Sequence, residues 1–311
     1  MNVEAIVNFI NRNNVALLQN STSTEKPRWL VIAPVVFLFL WSAGYAVAKL
    51  GLVYSEPMTL LALRYFFVVA IMGALFLWIR PPLPNTPAEW GHLAMVGFLI
   101  QAVYFAMCYL AFNSGIAAGT MALLMSFQPI LVGLTAPRWV GETIGWQKWL
   151  GLLLGLVGAV IVIVARSDIQ TPTLMGLTFA FLGLLGITGG SLWEKGFGIS
   201  HHPVTANLIG YAAGLVGVLP FMFALETMQV DWTWQFVAAL SYLVIGNSVI
   251  AVGLLLAMIR AGSVASVSSL FFLVPPLAAL IAWLMLGEIM PVVAWFGMAV
   301  AGFGVLLATR N

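Results

Sequence analysis

A chain of 311 residues that is 62% hydrophobic and only 7% charged is not a soluble globular domain, since such domains carry roughly 25% charged residues. A net charge of +2 offers nothing to nucleic acid, and a single cysteine, Cys108, excludes an intramolecular disulfide. Such a composition belongs in a lipid bilayer.

The first 28 residues contain no continuous apolar core and no small-residue cleavage site, so no signal peptide is expected and the first true span serves as the insertion signal. Val3, Ile6, Val7, Ile10, Leu17 and Leu18 stand near helical spacing, which fits an amphipathic helix on the membrane surface as well as a cytoplasmic tail. From Leu30 the apolar runs recur with short interruptions. A hydrocarbon core of about 30 Å takes about 20 helical residues per crossing. That rule predicts ten spans, at 30–50, 58–79, 91–112, 117–137, 146–165, 174–195, 204–225, 235–258, 263–286 and 291–309.

The chain also repeats itself. Adding 146 carries Gly44 to Gly190, Lys49 to Lys195, Pro57 to Pro203, Thr59 to Thr205, Pro129 to Pro275, Gly141-Glu142 to Gly287-Glu288 and Gly158 to Gly304. Residues 29–166 and 167–311 are therefore expected to be two copies of a five-helix unit. After five crossings the chain is on the opposite face, so the second copy runs inverted, an arrangement found in secondary transporters. The expected fold class is an all-α integral membrane protein of ten transmembrane helices in two inverted five-helix repeats. With the N-terminus in the cytoplasm, nine of the 12 Lys and Arg residues lie on the cytoplasmic face, while acidic residues divide five and five. Both termini are then expected to be cytoplasmic. The longest loops, near 80–90 and 226–234, are too short for another domain.

Chemistry in such a protein must lie within the membrane. His92, His201 and His202 have no metal-ligand spacing around them, and the carboxylates stand at span ends rather than in acid–base pairs, so no enzyme, metal or cofactor is expected. Transport fits better, because polar residues deep in a span mark protein-lined or water-lined pathways. Trp41, Tyr45 and Lys49 share one face of the first span, as Gln101, Tyr104, Phe105 and Cys108 share one of the third. The offset carries Gln101 to Asn247 in the eighth span, and Thr188, Ser191, Glu194 and Lys195 give the sixth a polar edge. Trp41, Tyr45, Gln101, Tyr104, Phe105, Cys108, Ser191 and Asn247 are thus candidate substrate-binding residues, with Lys49, Glu194 and Lys195 as gating or ion-pair residues.

Blander readings compete at each position. Aromatic pairs at helical spacing are commonly core, the two lysines can snorkel to headgroups, and the two amides can merely join helices. By position Arg64, two turns inside its span, fits snorkelling or an ion pair, and Glu194 fits a structural pair with its neighbour Lys195. Gly151, Gly155, Gly158, Gly297, Gly302 and Gly304 read as a structural or dimer-like seam. Pro129, Pro275 and Pro276 interrupt the backbone ladder and predict kinks in the fourth and ninth spans.

Trp41 through Lys49, Leu61-Ala-Leu-Arg64, Leu123-Leu124 with Gln128-Pro129, and Gly141-Glu142 opening a glycine-rich fifth span, in this order and duplicated, resemble the EamA-type members of the drug/metabolite transporter superfamily. The likeness runs from residue 30 to 310 and is nearest to the aromatic amino acid exporters of the bacterial inner membrane. It implies export of a small metabolite through a central cavity open alternately to either side. An aromatic cargo would stack on Trp41, Tyr45, Tyr104 or Phe105, with its ammonium and carboxylate at Gln101 and Asn247. Phosphorylated cargo calls for several buried cations, and only Lys49 and Lys195, at opposite faces, are at hand.

The two halves are not duplicates throughout, since Gly210 stands where Arg64 does and Glu194 where Ala48 does. Proton-driven small multidrug relatives use a first-span carboxylate, which this chain lacks, so a facilitator or weakly coupled exporter is expected. A broad drug exporter driven by protons through Glu194 is the alternative within transport, and a receptor or scaffold is the alternative outside it. A monomer bounded by membrane lipid is the expected state.

Overall fold

The computed structural model describes residues 29–166, 173–197, 201–286 and 291–310. The tail at 1–28, with its amphipathic-helix expectation, lies outside the described residues, as does Glu288. Chain contacts define two units. Of Met1–Ala33, the described residues open the first helix; Pro34–Asn311 holds everything discussed below.

Among the described residues, ten helices are long and apolar enough to cross a membrane. They are α1 (Trp29–Gly51), α2 (Pro57–Ile79), α3 (Pro87–Asn113), α4 (Ala118–Trp139), α5 (Trp146–Arg166), α6 (Leu174–Phe197), α7 (Pro203–Leu225), α8 (Trp234–Ala261), α9, which begins at Val264 and ends at Leu286, and α10 (Val292–Thr309). Proline at the first turn starts α2, α3 and α7, where its missing N–H is no loss. Exposed Leu, Phe, Val and Trp cover the outer surfaces of the helices, as lipid-facing surfaces require.

Packing follows the 146-residue repeat. Helix α2 lies along its equivalent α7, and α5 along its equivalent α10. The α5–α10 seam is made of glycine: a Cβ at Gly158 would collide with backbone N of Ala301, and one at Gly304 with backbone N of Gly155. The small residues expected at a structural or dimer-like seam thus face each other inside one chain. Gly302 is different, having open space before it.

Two departures from regular helix also obey the repeat. Phe98–Phe105 in α3 and Leu243–Val252 in α8 are wound as π-helix, with i→i+5 hydrogen bonds. The offset carries Phe98 to Val244 and Phe105 to Ala251, so these are the same segment in each half. Widening the helix leaves carbonyls short of partners, and tyrosines supply them. Tyr65 of α2 donates to O of Gln101 (2.8 Å), and Tyr211 of α7 donates to O of Ser248 (3.1 Å). Helix α4 breaks at Ser126-Phe127 between Ala118–Met125 and Gln128–Trp139, and α9 passes through a 3-10 turn, Leu270–Leu273, before Val274–Leu286. Pro129 and Pro275 fall in the first turn after each interruption, where no intrahelical partner is owed to them.

Candidate functional site

Helices α1, α2, α3 and α8 enclose a hollow lined by Trp41, Gly44, Tyr45, Ala48, Arg64, Tyr104, Phe105, Cys108, Tyr109, Phe112 and Asn247. Most of its aromatic rings are held by another ring. Trp41 stacks on Tyr104 (centroids 6.0 Å, planes 12° apart) and meets Phe105 at 5.9 Å and Phe271 edge-on at 5.4 Å. The hydroxyls of Tyr45 and Tyr104 share a 3.0 Å hydrogen bond. Such rings offer flat apolar faces whose quadrupoles favour another aromatic group or a cation. The hollow is a slit with room for about one water molecule, so this conformation is closed around its walls.

Six of the expected binding residues, Trp41, Tyr45, Tyr104, Phe105, Cys108 and Asn247, meet here. Gln101 does not. It lines a second slit with Gly97, Glu194, Gly210, Tyr211 and Arg260, among others. The two slits correspond in part under the repeat, for the offset exchanges Gln101 with Asn247, Arg64 with Gly210 and Ala48 with Glu194, while their other walls differ. Ser191 lines neither and donates back to O of Ile187 (2.8 Å), a bond within α6. Thr188 does likewise to O of Leu184 (2.7 Å).

Two expectations for charged residues are corrected. Arg64 does not snorkel and is fully buried. Its Nε donates to Ser248 Oγ (2.6 Å), Nη1 to Tyr109 Oη (3.1 Å) and Nη2 to Asn247 Oδ1 (2.7 Å), and its Cζ lies 4.2 Å from the Phe105 ring centre. Two helical turns would normally reach the interface. Here the chain between α1 and α2 is tied over that end by the α7–α8 loop, and the side chain points between the repeats instead. Glu194 pairs with Arg260 of α8, not with Lys195, because adjacent helix residues point 100° apart. Lys195 donates to O of Gly262 (2.6 Å). Lys49 is exposed at the end of α1.

Carboxylates close the structure at both faces. At the α1–α2 face, Glu226 accepts from N of Met58 and N of Thr59 (2.7 Å each) and from Thr59 Oγ1 (2.8 Å), capping α2. Glu56 accepts in return from N of Thr227 (2.8 Å), Thr227 Oγ1 (3.0 Å) and N of Met228 (2.9 Å). At the other face, Glu142 accepts from Ser263 Oγ (2.7 Å) and N of Val264 (2.8 Å), capping α9. Glu89 stands 3.6 Å from His201 there. None of these inter-loop partners shows in sequence, since they lie 112 to 172 residues apart.

A duplicated five-helix unit, a polar and aromatic slit at the repeat interface and carboxylate clasps at both ends define a multi-pass membrane transporter. The EamA-like transporter family model matches residues 28–164 and 174–310, and the chain belongs to that family. It is 25% identical over 274 residues to the inner membrane transporter YedA of Escherichia coli K12, covering 87% of each chain. It is 24% identical over 298 residues to a probable amino-acid metabolite efflux pump of Salmonella typhimurium, covering 92% of this chain and 93% of the relative. A riboflavin transporter of Vibrio cholerae is 26% identical over 293 residues, with 91% and 92% covered. A solved crystal structure superposes with a TM-score of 0.74 at 19% identity, over 91% of this chain and 97% of the other, and shares the fold.

Proposed function

We propose that the protein exports small metabolites from the cytoplasm across a bacterial inner membrane, with aromatic amino acids as its cargo, by alternating access through the space between its halves. The observation that carries this reading is the cluster of Trp41, Tyr45, Tyr104 and Phe105 buried where the repeats meet, beside the side chains of Arg64 and Asn247. A span interior has no need of hydroxyls and a guanidinium for its stability, and stacked rings match a flat cargo. The efflux-pump and riboflavin names of two relatives are consistent with small, partly aromatic cargo.

In this reading the binding residues are Trp41, Tyr45, Tyr104, Phe105, Cys108 and Asn247, while Gln101 serves the equivalent slit. Both termini face the cytoplasm, repeats 29–166 and 167–311 rock against each other, and one chain suffices. The clasp of Glu56 and Glu226 closes the periplasmic side and the Glu142 cap the cytoplasmic one. Export is facilitated or only weakly coupled, since Glu194, a buried carboxylate of α6, is engaged by Arg260.

Efflux of radiolabelled amino acids from proteoliposomes tests the reading. Tryptophan and phenylalanine are expected to leave faster than from protein-free vesicles, with alanine and glutamate unchanged. Flux that vanishes when the proton gradient is dissipated would reject the facilitator, and equal flux for all amino acids would reject the aromatic preference.

A further inference from the structure

The two slits differ in charge. In the one lined by Gln101, the Glu194 carboxylate and the Arg260 guanidinium cancel. In the one lined by Trp41, Arg64 is fully buried and, among the described residues, no carboxylate lies within ion-pair distance of it. A guanidinium keeps its charge at any pH the protein meets. Its hydrogen bonds to Ser248, Tyr109 and Asn247 all end on neutral oxygens, and Phe105 offers it a ring face. These soften the cost of burial and leave one whole positive charge facing a closed space walled largely by aromatic rings.

The orientation of the fork is informative. Nε is held by Ser248, which does not line the slit, whereas the partners of Nη1 and Nη2, Tyr109 and Asn247, both do. Nε is therefore fastened outside the slit, while Nη1 and Nη2 are held by residues that line it. Cross-linking alone does not call for a charge here. At the equivalent place in α7 stands Gly210, and there the backbones of α3 and α7 touch through Gly97 with no side chain between them.

Resting on the cargo reading above, we propose that Arg64 anchors the carboxylate of the cargo, so that the site requires one carboxylate and an aromatic or apolar body but not an ammonium group. When the carboxylate enters, Nη1 and Nη2 exchange the oxygens of Tyr109 and Asn247 for its two oxygens, the paired geometry in which guanidinium and carboxylate bind best. The amide of Asn247 and the hydroxyl of Tyr109 are released toward the remainder of the cargo. A single fixed cation matches a monoanion and leaves a phosphate ester, with its second charge, uncompensated.

The test is counterflow of radiolabelled tryptophan in proteoliposomes, competed by phenylalanine, by 3-phenylpropanoate, which lacks the ammonium, and by phenethylamine, which lacks the carboxylate. Phenylpropanoate is expected to compete within about threefold of phenylalanine, and phenethylamine about 10- to 100-fold more weakly, the loss typical of a hydrogen-bonded charge left without its partner. In Arg64→Gln this preference is expected to collapse to within about twofold. Phenethylamine competing as well as phenylalanine, with tryptophan still moving, overturns the anchor and spares the exporter; so does Arg64→Gln that moves tryptophan with its preference intact. Absence of tryptophan flux in the unaltered protein overturns the cargo reading and the anchor with it. If Arg64→Gln does not reach the vesicles, the ligand series on the unaltered protein decides alone.

Discussion

Tyr65 and Tyr211, equivalent positions in the two repeats, meet edge to face with ring centroids 5.5 Å apart. Residues exchanged by a two-fold operation touch only where they straddle its axis, so this pair marks the pseudo-symmetry axis of the bundle. Each hydroxyl serves a carbonyl of a π-helical segment, Tyr65 that of Gln101 and Tyr211 that of Ser248. Tyr65→Phe and Tyr211→Phe each leave a buried carbonyl without that donor, a loss of about 1–3 kcal/mol. Each variant is expected to melt several degrees lower in detergent. The double variant is expected to lose more than either single, because two buried carbonyls then lack their donors. A melting temperature unchanged in both singles would refute the role given to the hydroxyls.

The clasp at the α1–α2 face rests on charge-assisted hydrogen bonds from backbone N–H groups to Glu226 and Glu56. Glu226→Gln weakens the cap on α2 and favours parting of that face. Cys108 is buried in the Trp41 slit and is a native reporter of opening. Maleimide labelling of Cys108 is expected to quicken about threefold or more in Glu226→Gln, with the chain otherwise folded. Unchanged labelling would mean that the clasp does not hold the slit closed.

The α5–α10 seam tolerates no side chain where backbones touch. Gly158→Ile drives its Cβ into the Ala301 backbone, whereas Gly302→Ile meets open space. Overpacking of this kind costs about 1–3 kcal/mol. Gly158→Ile is expected to lower the melting temperature and the yield of folded protein, and Gly302→Ile to leave both unchanged. Equal behaviour of the two would place the seam elsewhere.

Trp41 contributes the largest ring of the slit and stacks on Tyr104. Trp41→Ala removes that surface and frees Tyr104 and Phe105. Tryptophan efflux is expected to fall at least tenfold, while Ser191→Ala, whose hydroxyl bonds within its own helix, leaves it within about twofold. Loss of efflux in Ser191→Ala would restore that residue to the binding surface.

Span number, duplication and the aromatic faces of the first and third spans were legible because each rests on local spacing: 20 apolar residues, a constant offset, i and i+4. The binding roles assigned in sequence depended on which faces turn inward, and there legibility ended. Arg64 was misplaced because depth along one helix says nothing of the loop that covers its end. Glu194 was given its neighbour as partner, although its true partner, Arg260, is 66 residues away. The amides at Gln101 and Asn247, exchanged by the offset, fall in separate slits. No sequence signal announced the π segments, whose extra residue per turn is stabilised by tyrosines on other helices.

Those π segments give the molecule slack. Returning one of them to ordinary α winding would turn everything on one side of it by about 100°, the rotation of a single helical residue, without unravelling either end. Asn247 or Gln101 would then swing off the wall it occupies while the helix stays in place. A protein built this way has a means of re-aiming the polar lining of its path by passing a surplus residue along a helix, like a ruck moved along a carpet, before any large tilt of the bundle is called for.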